Sequence, residues 1–213
     1  MMSKREAPLK GEALKQQIMQ VALRHFALKG FSATNMDEIA EEIGINKPSI
    51  YYHIGKKEQL FDTVIIKAIE DHQRQLEQSL SKTDKPEERL RAYVLAFAQN
   101  FSGENHYLAN LILRQVATEG GYFPKQALET MVKVQQRLWG ILQQGTEQGI
   151  FKAVNPFQIH MLIVGFFTTS ATSGVMKQKF AEAVQDEQMP DLSIDLFEAA
   201  DMIYEMLMAT LKG

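Results

Sequence analysis

The chain is predicted to be all-α: a three-helix N-terminal head carrying a helix-turn-helix, then a helical bundle, about nine helices in total. Apolar residues recur at three- and four-residue steps through most of the 213 residues. The stops and starts are glycines, Asx caps and first-turn prolines, and no sustained alternation of β-branched residues marks a strand.

The elements follow in order. Leu14, Ile18, Val21, Ala22 and Phe26 make one face of a first helix that closes at Lys29-Gly30. Gly30 suits a left-handed closing position, and Phe31 folds back on the last turn. Asn35 offers an N-cap with Glu38 three residues on as its capping-box partner, opening a short helix over 36–43. Gly44 interrupts, Asn46 caps again, and Pro48 falls in the first turn of the next helix, where a missing N–H costs little. A long helix over about 57–81 buries Leu60, Phe61, Val64, Ile65, Ala68, Ile69, Leu76 and Leu80, and links head to body. Asp84 and Glu87 read as a second capping box around Pro86, starting a helix that stops near Ser102-Gly103. Further helices are predicted over about 107–119, 125–148, 156–176 and 192–211, punctuated by Gly120-Gly121, Gly149 and Asn155-Pro156, with 177–191 a polar connector. The division is a head over 1–57 and a body over 58–213.

Composition narrows the chemistry. Without cysteine there are no disulfides, thiolate nucleophiles or cysteine-held metals, and His25, His53, His72, His106 and His160 stand far apart with no i, i+4 pair. No metal, cofactor or catalytic residue is expected: nucleophile pairs, phosphate-cradling glycine loops and clustered carboxylates are all missing. The first ten residues carry Lys4, Arg5 and Lys10 but no apolar stretch of a secretory signal, so a cytoplasmic location is expected. The uncharged run 159–176 approaches membrane-spanning length, yet Thr168, Thr169, Ser170, Thr172, Ser173 and Gly174 make it too polar for lipid and suit it to burial between helices. Net charge is −3, unevenly shared: residues 1–57 hold nine Lys and Arg against six Asp and Glu, the remainder fourteen against twenty. The basic end is the one where a phosphate backbone would have to be met.

Residues 36–53 have the layout of a helix-turn-helix. Ile39, small Ala40 and Ile43 can bury one side of the first short helix, while Ile45 and Ile50 anchor the turn and the second. Lys47, Ser49, Tyr51, Tyr52 and His53 are left to face outward, a set able to meet base edges, thymine methyls and phosphates. Lys56 and Lys57, at the start of the long helix, suit phosphate contacts. Each choice has a plainer reading beside it: Tyr51 as a core aromatic, His53 as a helix-end residue, the lysines as solvated charges. The N-terminal basic arm is either disordered or a minor-groove contact.

The run Met36-Asp37-Glu38-Ile39-Ala40-Glu41-Glu42-Ile43-Gly44-Ile45-Asn46-Lys47-Pro48-Ser49-Ile50-Tyr51-Tyr52-His53, continued by Lys57-Glu58-Gln59-Leu60, resembles the signature of tetracycline-repressor-family regulators. The motif likeness covers residues 12–65. It implies an operator-binding homodimer, most often a repressor released by a small effector. It places DNA contacts at Asn35, Lys47, Pro48, Ser49, Tyr51, Tyr52, His53, Lys56 and Lys57. The chain departs from the usual pattern at three places: Asp37 is acidic, Pro48 replaces glycine, and the pair Ile54-Gly55 replaces a phenylalanine and its neighbour.

For the body the expectation is an apolar or amphipathic effector held by Tyr93, Phe97, Phe101, His106, Arg114, Gln115, Trp139 and Phe166, although Tyr93, Phe97 and Phe101 equally describe one face of a core helix. A two-fold homodimer is expected through the last two long helices, with Phe166, Phe167, Ser170, Gly174, Phe197, Ala200, Ile203 and Leu207 at the interface. The expected partners are a double-stranded palindromic operator, one small molecule and a second copy, with no membrane. Competing readings are an effector-independent regulator or activator, and a helical interaction adaptor that does not read DNA.

Overall fold

The computed structural model describes residues 11–102, 106–117, 122–183 and 192–212, and every regular element among them is a helix. They run α1 (Glu12–Ala33), α2 (Met36–Ile43), α3 (Lys47–His53), α4 (Lys57–Leu80), α5 (Pro86–Phe101), α6 (His106–Ala117), α7 (Lys125–Glu147), α8 (Pro156–Thr172), α9 (Gly174–Ala183) and α10 (Leu196–Lys212). That is one more than the sequence suggested, because the apolar run 156–176 is not one helix. α8 and α9 meet at 61°. The hydroxyls of Thr168, Thr172 and Ser173 donate back to the carbonyls of Val164, Thr168 and Ser170 at 2.6, 2.9 and 2.9 Å, a competition with the helix ladder that favours a bend, and Gly174 follows. α9 takes up the first part of the predicted connector, whereas 184–191, the arm with Lys4, Arg5 and Lys10, and Gly120-Gly121 lie outside the described residues. Among the described residues, no single helix is long and apolar enough to cross a membrane.

The head closes as its punctuation dictates, with one exchange of partner there and another at the start of α5. Gly30 adopts φ 79°, ψ 169°, a conformation that a side chain would strain, and kinks the end of α1. Phe31 then stacks back on Phe26 at 6.1 Å. Asn35 caps α2 by accepting from the Asp37 N–H at 2.9 Å, but the expected capping box is not completed, because Glu38 accepts from Lys29 at 2.6 Å instead. Gly44 is left-handed, and Asn46 caps α3 by accepting from the Ser49 N–H at 3.0 Å. The Asp84–Glu87 box is also absent. Pro86 fixes the first turn of α5 so that Lys85, not Asp84, holds the cap position; Thr83 donates to Glu88 at 2.5 Å, and the Asp84 carbonyl accepts from Gln144 at 2.9 Å. A half-box that the sequence did not suggest appears at α4, where Gln59 reaches back to the Lys56 N–H at 2.8 Å.

α4 organises the whole. It packs on α1, α5 and α7, and its buried Leu60, Phe61, Val64, Ile65, Ile69 and Leu76 each contribute about 1.5–3 kcal/mol of apolar transfer. Phe61 meets Phe26 and Phe31 edge-on at 5.1 and 5.3 Å, so the core of the head runs unbroken into the first turns of this helix. Polar straps tie α7 along its length: Gln126 to Glu70 at 2.7 Å and Arg137 to Glu77 at 2.5 Å. α10 lies on α5, with Arg91 forked onto Asp201 at 2.7 and 3.2 Å.

Candidate nucleic-acid interface

Two short helices make the tip of the head. Ile39, Ala40 and Ile50 are buried under it and fix the crossing of α2 and α3. With Ile50 inward, the rest of α3 is thrown outward: Tyr52 is 86% exposed and Tyr51 44%, so neither ring belongs to the core. Tyr52 and His53 stand edge-to-face at 5.1 Å, a protruding pair with polar rims. Ser49 donates its hydroxyl to Asn46 at 2.7 Å, leaving its oxygen lone pairs to accept. Pro48 occupies the first turn, where it stiffens the start of α3.

Cations surround this tip, and most are already held. Lys47 bonds Asp37 at 2.9 Å, Lys29 bonds Glu38, and Arg24 pairs with Glu42, which also contacts His25 at 2.9 Å. Burial, with Lys29 and Arg24 nearby, lowers the His25 pKa against the opposing pull of Glu38. Lys57 donates to the Ser32 carbonyl at 3.1 Å and lies 4.8 Å over the Phe31 ring, parked at the end of α1. Lys56 is exposed at the N-cap of α4. Gly55, at φ 115°, lets the chain turn between α3 and α4 where a Cβ would overlap Gln59, and Tyr51, Gly55, Lys56, Lys57, Glu58 and Gln59 line one shallow hollow there. A helix N-terminus with two lysines at its mouth attracts an anion.

The body divides the residues expected around an effector. Tyr93, Phe97 and Phe101 are buried in a ring stack on α5, with Phe97 parallel to Phe167 at 6.4 Å, and the half-buried Phe166 standing edge-on to Phe167 at 5.4 Å. Gln115 is buried on α6. Arg114 turns to the head instead: its guanidinium donates to the carbonyls of Ala27 and Leu28 at 2.8 and 2.7 Å, satisfying the end of α1 just before Gly30. Trp139 is 59% exposed on α7, away from the stack, and the His106 side chain lies outside the described ones.

Three polar groups missed in the sequence reading sit among those rings. His72 occupies the step of the α4 stripe between Ile69 and Leu76 where an apolar residue would be expected. That interruption was the available signal. Its ring meets Phe97 at 4.8 Å, both nitrogens are buried, and burial pushes its pKa down to about 4 against the opposing effect of the Asn100 amide. Asn100 is buried and donates to the Ala96 carbonyl at 2.7 Å. His160 shares a hydrogen bond with the Tyr93 hydroxyl at 2.9 Å; burial lowers the imidazole pKa and raises that of the phenol.

Comparison with known proteins adds the frame. Residues 18–64 match the family model of bacterial regulatory proteins of the tetR family. Over those residues the chain carries the N-terminal domain of that family. Over 150 residues it is 28% identical to the transcriptional repressor KstR2 of Mycolicibacterium smegmatis, covering 69% of this chain and 72% of that protein. It is 35% identical over 81 residues to the transcriptional activator FasR of the same species, 38% and 37% of the two chains. Among solved structures, KstR2 of Mycobacterium tuberculosis superposes with a TM-score of 0.71 at 16% identity, covering 98% of this chain and all of that one. FadR of Bacillus subtilis, solved with stearoyl-CoA, superposes with 0.68 at 19% identity, covering 92% and 98%. These likenesses bear on the fold. With that head the chain is a DNA-binding transcription regulator.

Proposed function

We propose that the chain is an operator-binding repressor that works as a two-fold dimer and is released by an apolar or amphipathic effector. The observation that carries the reading is α3, whose capped, proline-stiffened turn projects Tyr52 and His53 while Lys47, Lys56 and Lys57 surround them. In this arrangement Tyr51, Tyr52 and His53 face the major groove, with Lys47 at its edge. Asn35, Pro48 and Ser49 border the same surface, and Lys56 and Lys57 take phosphates. Repression is favoured over activation because KstR2, a repressor, is matched over more of its length than the activator FasR.

The dimer surface proposed here uses the expected helices but leaves out three of the expected residues. Phe167, Ala200 and Leu207 are buried within the chain, because one stripe of α10 is already used against α5 and one of α8 against α5 and α6. The opposite faces remain bare: Phe157, Met161 and Leu162 on α8, and Phe197, Met202 and Met206 on α10, each between 45% and 63% exposed. Around them lie Gly174, exposed, and Phe166, Ser170 and Ile203, half-buried. A four-helix interface through these faces buries what one chain leaves in water.

Support for the effector comes from the Tyr93–Phe97–Phe101–Phe167 stack with His72, Asn100 and His160 set into it, apolar area with a few polar points. FadR of Bacillus subtilis in complex with stearoyl-CoA shows that a protein of this fold accommodates an acyl chain. Arg114 and Trp139 are not part of this set; Arg114 instead ties the body to the head. Selection of bound sites from random duplexes tests the DNA reading: enrichment of one palindrome is expected, and recovery without any enriched sequence overturns it. Salt-dependent affinity for the enriched duplex separates a regulator from an adaptor. Titration of that complex with stearoyl-CoA and with a sterol ketone then tests release.

A further inference from the structure

The contact that stands out at the tip is the pair Lys47–Asp37. Lys47 opens α3, where the unsatisfied N–H groups make a cation unwelcome, whereas Asp37 sits in the first turn of α2, where the same effect favours a carboxylate. The two are joined across the turn at 2.9 Å, ten residues apart, and both remain partly in water, with side chains 35% and 61% exposed. Asp37 raises the Lys47 pKa, with Tyr51 adding to it. A lysine that would otherwise sweep many rotamers is therefore pointed along α3 toward Tyr51, and a negative charge is placed beside the surface that must approach phosphates.

We propose that Asp37 is a specificity-determining positioning residue for DNA reading, which rests on the head being the DNA-binding surface. It holds Lys47 ready for a base-edge acceptor, cancels the pull of that lysine on arbitrary phosphates, and itself repels any backbone that docks without the base contact to compensate. Its effect therefore has opposite signs on the two classes of site: it favours the operator and disfavours unrelated sequence.

The test is a titration of the enriched palindrome and of an unrelated duplex of equal length, across a series of salt concentrations, with wild type, Asp37→Asn, Lys47→Met and the double variant. Asp37→Asn keeps the shape and removes the charge. It should raise affinity for the unrelated duplex about two- to fivefold and lower it for the palindrome by a similar factor, an approximately tenfold fall in the ratio. Its salt slope on the unrelated duplex should steepen by about 0.9, one further phosphate neutralised. In the Lys47→Met background, the loss on the palindrome should vanish. An unchanged ratio in wild-type background, or a loss on the palindrome that persists without Lys47, overturns the role of Asp37 while leaving DNA reading intact. Failure of the wild type to prefer any duplex overturns the DNA reading itself, and this role with it.

Discussion

Head and body place their unusual residues in opposite positions. Under α2 and α3 the head keeps an apolar interior of Ile39, Ala40 and Ile50, with its buried His25 bonded to Glu42, and it carries the aromatic and polar groups of α3 outward, with Tyr52 almost wholly in water. The body does the reverse: it buries His72 and Asn100 among aromatic rings and leaves Met161, Leu162, Met202 and Met206 outside. A solvated tyrosine and a buried imidazole both cost stability compared with a conventional arrangement, so each marks a surface or interior shaped for something other than folding. The head is made to meet a polar surface, the body an apolar one.

The largest effect should come from charging the bare faces of the body. Leu162→Asp with Met206→Asp places carboxylates where a partner would bury them, at about 3–5 kcal/mol, roughly 150- to 4000-fold in operator affinity. Sedimentation should show a monomer whose melting temperature is little changed. A dimer that persists with full affinity removes the assembly proposed here.

Next in size is the acid response of the buried imidazole. The unfolded chain protonates His72 near its ordinary value of 6.5, whereas the folded chain resists until about 4, so the unfolded state takes up the proton first. Stability is complete above pH 6.5 and falls as pH drops toward 4, by roughly 3 kcal/mol; His25 and His160, also lowered, act in the same sense. Denaturant melts of His72→Leu across this range should show a flatter acid limb. An identical limb would mean that His72 is solvated in the folded chain.

Between the two regions, Arg114→Ala removes two charge-assisted bonds to the end of α1, worth about 1.5–3 kcal/mol. Effector affinity should survive while the effector's ability to release DNA falls, because the body loses its grip on the head. Unaltered release in a titration of the operator complex would place the coupling elsewhere. Smallest are the two tip variants. Tyr52→Ala should weaken operator binding by about 1–3 kcal/mol with little change in salt slope, while Lys57→Ala should flatten that slope by about one unit. Lys57 must first leave Ser32 and Phe31, which limits what it contributes. Wild-type affinity for both variants at every salt concentration would move the reading head away from α3.

The head was legible because its signals are local. Gly30, Asn35, Gly44, Asn46 and Pro48 act within a turn of themselves, and the outward set of α3 follows from Ile50 pointing in. The capping boxes were not so readable: a box needs Glu38 or Glu87 to prefer a backbone N–H, and Lys29 competes for the first while the Pro86 start of α5 displaces the second.

Farther from the local rules, sequence alone fixed the helical periodicity, the order of the elements and the polar character of the tip, because each depends on spacing along the chain. Tertiary structure alone decided which side of an apolar helix is core and which is bare. α8 and α10 are rich in apolar residues on more than one face, so Phe167, Ala200 and Leu207 could be assigned inward, and Leu162 and Met206 outward, only once α5 was seen against them. The same holds for Arg114 and Asp37. Their partners stand 87 and ten residues away, and long side chains choose among acceptors by distance in space, which spacing in sequence does not encode.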